Sequence, residues 1–402
     1  MRWPEWLPGE RGPGGGAMRF AQAALVLLAI GLPISIAVTE TALVSGLLAL
    51  VVSRLRGRRF RAADGMLMWA SLALIGAWTI SSLLGENPIG ALQHVGKLYA
   101  LGLILLAAEA GADERVRRRV LALLVASAVY MSLLGFLIFA VRLPSSPNYR
   151  LASVFSNQMT SGGVLAAALL WSLGAALARR DAKRFWFAAA LLPLSAALVL
   201  TQTRSHWLGA VAGAAVIMMS LAPRWWWALP ATLAVSLPLL PHRLHARLYS
   251  IVDPHEPGNQ GRLSMWRSAR DIIRDHPVFG VGCQDLLALY RRYRYPDWTF
   301  ESGHFHNNFI QMAVMTGVVG LAVFVFWLVS AARAMMRALR ETPAGADRGM
   351  AAAALGLLAA LIVSGMFDYT FGDAEVVYHT FLALGFALAI APGRAAPRAP
   401  QA

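Results

Sequence analysis

The chain has one cysteine, Cys283, among its 402 residues. It can therefore close no intrachain disulfide and supply no cysteine metal cluster. Charge is also scarce: Asp, Glu, Lys and Arg make up 14% of the residues against 57% hydrophobic, too little polar surface for a soluble domain of this length. Acids are the scarcer sign, 21 against 36 basic residues, and the resulting formal charge of +15 would suit a nucleic-acid partner if the remaining chain were polar. It is not. The apolar runs are long enough to cross a hydrocarbon core of about 30 Å as helices, so the basic excess is assigned to membrane orientation and to anionic phosphates of lipids, and no nucleic acid is expected.

Twelve spans can be drawn: 19–35, 37–53, 64–83, 91–109, 119–141, 155–177, 184–201, 204–221, 225–241, 306–331, 349–367 and 373–391. They predict an all-α, polytopic membrane protein forming a single membrane-embedded domain over 1–402. Basic residues in short loops resist translocation. Arg54, Arg56, Arg58, Arg59 and Arg61 follow span two, Arg115 to Arg119 span four, and Arg179, Arg180, Lys183 and Arg184 span six. Arg224, the Arg333 to Arg348 group, and Arg394 with Arg398 continue the pattern after spans eight, ten and twelve. Those ends are read as cytoplasmic, together with tails at 1–17 and 392–402. Met1 to Ala17 is rich in Gly, Pro and Trp, and the apolar run after it shows no convincing small-residue cleavage site, so it reads as a retained tail.

The opposite end gathers Gly85–Gly90, Leu143–Leu151, Thr201–Thr203, the long loop 242–305 and Asp368–Gly372. The long loop is too short for an independent core and reads as a lid packed on the bundle. It holds five of the nine histidines, His242, His245, His255, His276 and His304, and His306 follows at its end. Within it, Arg262 to Ile273 has helical periodicity: Trp266, Ala269 and Ile273 face the bundle, while Arg267, Arg270 and Arg274 face water or headgroups. His276-Pro277 ends that helix and Gly280-Val281-Gly282 supplies a turn. Arg262 then lies near the first turn, where unpaired backbone donors could join it in an anion site; the plainer reading is an arginine touching lipid phosphates. Tyr290-Arg291-Arg292-Tyr293-Arg294-Tyr295 reads as an interfacial anchor rather than a glycan contact.

Arg204 sits at the turn between spans seven and eight, where apolar walls make an unpaired charge costly; a diphosphate would pair with its two-pronged guanidinium, and a snorkelling interface arginine is the alternative. Lys97 lies inside span four and either snorkels or helps neutralise a phosphate. Arg150 faces the same end, as do Asp373 and Glu375, which read most simply as solvated helix termini. His306 opens span ten and suits proton removal from an attacking hydroxyl, since imidazole titrates near neutral pH; interface residue is the plainer reading. His304, two residues earlier, shares a face with it only in an extended chain. A zinc site is not expected, because the spacing is not H-E-x-x-H and offers no clear third ligand.

His306-Asn307, nine residues, then Gly317-Val318-Val319-Gly320 resembles the His-Asn…Gly-x-x-Gly signature of the O-antigen ligase superfamily, which includes O-antigen polymerases and protein O-oligosaccharyltransferases. Thr201 to Gly209 resembles that family's arginine-bearing external turn, though Ser205-His206 stands where small residues are common, and Arg262, Trp266, Asp275-His276-Pro277 and Gly280-Val281-Gly282 resemble its large periplasmic loop. The resemblance implies inverting, metal-independent and cofactor-free transfer of a glycan from undecaprenyl diphosphate on the periplasmic side of the bacterial inner membrane. His306 would be the base and Arg204 and Arg262 the diphosphate clamp, with Arg150, Lys97, Asn307 and His304 as further substrate contacts. Gly317 and Gly320 would allow close packing that orients His306. The compact single loop and the Asp368-Tyr369-Thr370-Phe371-Gly372-Asp373 stretch favour a ligase, with lipid A-core as acceptor; a polymerase extending the lipid-linked chain is the alternative. A lipid-glycan flippase is the reading from another class, and it would spread its charges along the midplane.

Overall fold

The computed structural model describes residues 14–60, 65–85, 87–236, 238, 241–295 and 301–391, helical with no strand among them. In chain order the helices are α1 (Gly15–Gly31), α2 (Ile36–Leu55), α3 (Gly65–Leu84), α4 (Pro88–Val95), α5 (Gly102–Ala110), α6 (Glu114–Arg142), α7 (Gln158–Ala178), α8 (Lys183–Thr201), α9 (Arg204–Leu221), α10 (Ala228–Ser236), α11 (His242–Tyr249), α12 (Pro257–Asp275), α13 (Leu287–Tyr293), α14 (Asn308–Glu341), α15 (Ala346–Ser364) and α16 (Ala374–Ile390). Seven of them, α2, α3, α6, α7, α8, α14 and α15, are long and apolar enough to cross a membrane, which makes this an all-helical, polytopic membrane protein. Most of the tail residues, 1–13 and 392–402, lie outside the described residues, as does Arg61.

Each of the twelve drawn spans contains a helix, but two differ from a continuous crossing. The fourth is broken into α4, a 3₁₀ turn over Gly96–Leu101, and α5. The ninth holds only α10, nine residues and so about 14 Å of helix. Pro223, Pro230 and Pro238 explain this, because a proline is tolerated in a first turn but ends a helix it follows. The chain nonetheless returns between α9 and α11. Arg204 at the start of α9 bonds Ser250 and Glu256, so Leu221 at its far end and Ser250 lie at opposite ends of that helix.

What positions the functional end is a seam of small residues. α15 packs antiparallel against α9 with Gly356 opposite Gly213 and Ala360 opposite Gly209. A Cβ at Gly213 would stand 2.6 Å from the Gly356 carbonyl oxygen, and one at Gly356 2.8 Å from that of Gly213. Close packing of this kind holds helices together where lipid removes the hydrophobic drive between them. It brings the start of α9, with Arg204, to the end of α15, just before Asp368.

α14 is interrupted at Gly317 (φ 64, ψ −168), a backbone region open in practice only to glycine. The loop docks into that break. Val281 N–H donates to Val314 O at 3.0 Å and Gly282 N–H to Met315 O at 2.9 Å, while Val318 N–H donates to Pro277 O at 2.9 Å. Ser81 from α3 donates to the carbonyls of Phe279 and Met315. The Gly-x-x-Gly pair was expected to serve helix packing; Gly317 instead admits loop backbone, and a Cβ there would fall on the Val278 carbonyl. Gly317→Ala is expected to cost on the order of 3 kcal/mol and to undock the loop, read as a lower thermal unfolding midpoint. Gly76→Ala, with nothing within 4 Å, is the control. Equal midpoints for the two variants would refute the docking role.

Candidate active site

The segment before α14 is pinned from three sides. Phe305 N–H donates to Gln311 Oε1 at 3.0 Å, Trp266 Nε1–H of α12 donates to Phe305 O at 2.9 Å, and the buried Tyr290 ring meets Phe305 edge-on at 6.1 Å. Asn307 caps α14, accepting from Phe309 N–H and Ile310 N–H, and its amide donates to Met366 O at 2.9 Å. Between these anchors His306 takes a left-handed backbone conformation (φ 47), unfavourable for a side chain with a Cβ and held by its neighbours. Its Nδ1 lies 3.1 Å from Asp368 Oδ1. A carboxylate there assigns the imidazole proton to Nδ1 and leaves Nε2 as the basic nitrogen. Burial pushes the Asp368 carboxyl up, but the His306 bond and the neighbouring His206, His306 and His304 more than offset it, leaving it below the usual carboxylate range.

The His304 and His306 rings meet edge-on, centroids 4.2 Å apart. Burial, then the charge of His306, lowers the His304 pKa. With Asp368 they place one ligand atom each within 4.8 Å of one another. The third ligand that sequence spacing lacked is thus present, 62 residues from His306, so the sequence argument against a zinc ligand set is corrected: these side chains could hold a divalent ion. The His306–Asp368 hydrogen bond gives two of the three groups a role without one.

Beyond this group lie four arginines. Arg204, buried at the start of α9, donates to Ser250 O, Ser250 Oγ and Glu256 Oε2 at 2.5, 2.9 and 3.0 Å. Arg247 of α11 shares Glu256 at 3.3 Å and donates to Gln202 O. Arg150 donates to Thr201 O and Gln202 O at 2.9 and 3.0 Å. Arg262 is half-buried, and its Nε has no partner. Burial, then the charges of Arg247 and Arg204, pushes Arg150 down to about 10. Arg247 and Arg262 are lowered for the same reasons, burial first and then Arg204. Four cations held this close, two of them sharing one carboxylate, form a site short of negative charge.

Several sequence expectations change. α12 starts five residues before Arg262, and Glu256 caps it by accepting from Asn259 N–H, so Arg262 lies in the second turn, away from open backbone donors. The buried stripe runs through Met265, Ala269 and Ile272, with Trp266 and Ile273 half-buried at its edges. Asn307 commits its amide to capping rather than to substrate, and Arg150 holds the carbonyls of the turn that carries Arg204. Lys97 falls in the 3₁₀ turn, and its side chain lies outside the described residues. The Tyr290–Tyr295 run also braces the loop internally, Tyr293 and Tyr295 donating to Asp275 and Asp271 at 2.7 and 2.6 Å. Asp373 and Glu375 are half-buried on a cavity wall rather than solvated. Arg247 was missed altogether.

A cavity of about 540 Å³ opens beside the histidines, lined by His304, His306, His206 and Asp368 and by residues of α2, α3, α7 and α16. The four arginines do not line it. Over residues 188–325 the chain matches the family model described as O-Antigen ligase. Over that stretch the match supports kinship with the O-antigen ligase superfamily. The matched stretch contains Arg204, Arg247, Arg262 and His306, with Asp368 beyond it, and the family supports glycosyl transfer of the O-antigen ligase or polymerase type on a lipid-linked glycan. No curated protein matches the chain. A solved chain from "Structural coordination of polymerization and crosslinking by a peptidoglycan synthase complex" is 21% identical, with a TM-score of 0.47 over 84% of this chain and 99% of that one.

An anion-deficient arginine site should bind free pyrophosphate. A raised thermal midpoint is expected on adding it, increasing with concentration as binding linkage requires, and lost in Arg262→Ala. No shift for the unmutated protein would sink the anion-site assignment.

Proposed function

We propose that the protein is an inverting glycosyltransferase of the ligase type, moving O-antigen glycan from undecaprenyl diphosphate to lipid A-core. The reaction would take place on the periplasmic side of the bacterial inner membrane, with both termini cytoplasmic. The observation that carries this reading is the His306–Asp368 pair on a cavity wall with the arginine cluster close by, base and leaving-group site side by side. The acceptor hydroxyl gives its proton to His306 Nε2 while its oxygen attacks the anomeric carbon. The bond from that carbon to the diphosphate oxygen breaks as the new one forms, which inverts the centre, and Arg262 with Arg204 takes up the growing negative charge. Asp368 keeps the proton on Nδ1 and steadies the imidazolium.

His306→Ala is expected to lower transfer on the order of 100- to 10,000-fold without unfolding the protein. Asp368→Asn is expected to cost about 10- to 100-fold. The assay offers purified protein two acceptors, lipid A-core and a second lipid-linked repeat. Product on lipid A-core supports the ligase, elongation of the lipid-linked chain makes it a polymerase, and neither product rejects transfer in favour of a flippase. Undiminished transfer by His306→Ala would reject the base role.

The same geometry gives a metal prediction of definite sign. A base must keep its lone pair, so EDTA is expected to leave transfer unchanged and added Zn²⁺ to inhibit by occupying His304, His306 and Asp368. Loss of transfer in EDTA, restored by one particular ion, would overturn the metal-independent mechanism.

A further inference from the structure

We propose that the cavity beside His306 is the subsite for an acceptor sugar without negative charge, neutral or amino, held by Trp78, Tyr99 and Tyr378 and by the carboxyls of Glu40, Asp373 and Glu375. Calling that sugar the acceptor rests on the transfer reading above; its charge and its contacts rest on the cavity alone.

Four observations carry it. About 540 Å³ lies within the range of small-ligand sites, room for the end of an oligosaccharide, and the imidazole of His306 is on its wall. Trp78 lines it at 6% exposure, and its indole N–H has no partner. A buried donor left unpaired is unfavourable, and a small turn of the indole toward the cavity would let an oxygen of a bound sugar accept from it. The remaining wall offers what a polyol needs. Tyr99 and Tyr378 bring hydroxyls that donate and accept, and Glu40, Asp373 and Glu375 bring acceptor carboxyls to the same wall. Asp373 is itself held by the Thr160 hydroxyl at 2.7 Å. Aromatic rings beside such groups pack on the apolar faces of pyranose rings while the polar groups take the hydroxyls.

Charge sets the class of sugar. Glu40, Asp368, Asp373 and Glu375 line the cavity, and among the described residues no arginine or lysine does. The guanidiniums that would welcome a phosphate or carboxylate stand outside it. A sugar acid or a phosphorylated sugar would meet like charge, whereas a hydroxyl or an ammonium meets acceptors.

The test uses the full chain in detergent and reads sugar binding directly by saturation-transfer NMR. The probes are a glucose trisaccharide, the same trisaccharide ending in glucosamine, and the same ending in glucuronic acid. The first two are expected to bind, and the glucuronate about tenfold or more weakly. Trp78→Phe, which keeps an aromatic ring and removes the donor, should weaken all three. Glu375→Gln combined with Glu40→Gln should narrow the gap between neutral and acidic probes. Glucuronate binding as tight as the neutral sugar, or no binding of any probe, would overturn the proposal, and the comparison within the unmutated protein does not depend on any variant folding. Selective binding without transfer would count against the transfer reading alone; transfer to acidic and neutral acceptors at equal KM would count against this inference alone.

Discussion

Gly213 and Gly356 approach so closely that a side chain on either would strike the other's backbone. That contact sets how closely the two helices that carry the functional end approach each other. α9 and α15 run antiparallel from it, and one delivers Arg204 while the other delivers Asp368. Moving the helices apart by the width of a methyl group would separate the guanidinium from the carboxylate and carry His306 with it, because Asn307 and Asn308 are bonded to Met366 and Gly365 at the end of α15. In lipid such a seam draws on dispersion and shape rather than on expelled water, so its energy comes only at the right spacing.

The second constraint is the cost of assembling cations away from water. Burial and mutual repulsion both oppose the arginine cluster. The fold offsets that cost with oxygens from two places: the carbonyls of Thr201 and Gln202 at the α8–α9 turn, and Ser250 and Glu256 from the loop. The loop is therefore part of the site. It is held against α14 only because Gly317 breaks that helix and Gly280 (φ 68) and Gly282 (φ 90) lie flat against the break. Loop docking and cation assembly thus share the loop's residues Ser250 and Glu256.

How much of this was legible in the sequence depends on how local each signal is. The spans, the basic ends and the motifs around Arg204, Arg262 and His306 are short-range patterns and could be read. Arg247 could not, because in His242–Tyr249 it has the look of any basic residue on a short amphipathic helix, and only folding brings it to Glu256. Asp368 lies 62 residues from His306, and their bond is a product of helix packing. The break at Gly317 hides within an uninterrupted apolar run, where hydropathy is blind to φ. The short ninth crossing had visible prolines, but a sliding reading of apolar residues overrode them. On α12, Met265 and Ile272 share the helical period with Ala269 as well as Trp266 and Ile273 do, and which edge of that face is buried is set by packing.

In the transfer proposed here, the placement of His306 matches the division of charge. A displacement at carbon needs its nucleophile and leaving group on opposite sides of the reacting centre, and the two make opposite electrostatic demands: the departing diphosphate gains negative charge while the attacking hydroxyl sheds a proton. One uniformly basic pocket would serve the first and fail the second, since surrounding cations make a base reluctant to accept a proton. Here the cations are gathered around Glu256 and the acids line the cavity, with Arg262 near enough to Asp368 to feel its charge. His306 stands on the acidic side of that boundary, its Nδ1 bonded to a carboxylate. On the proposed reaction, the left-handed backbone at His306 is what sets its imidazole against Asp368 rather than among the arginines.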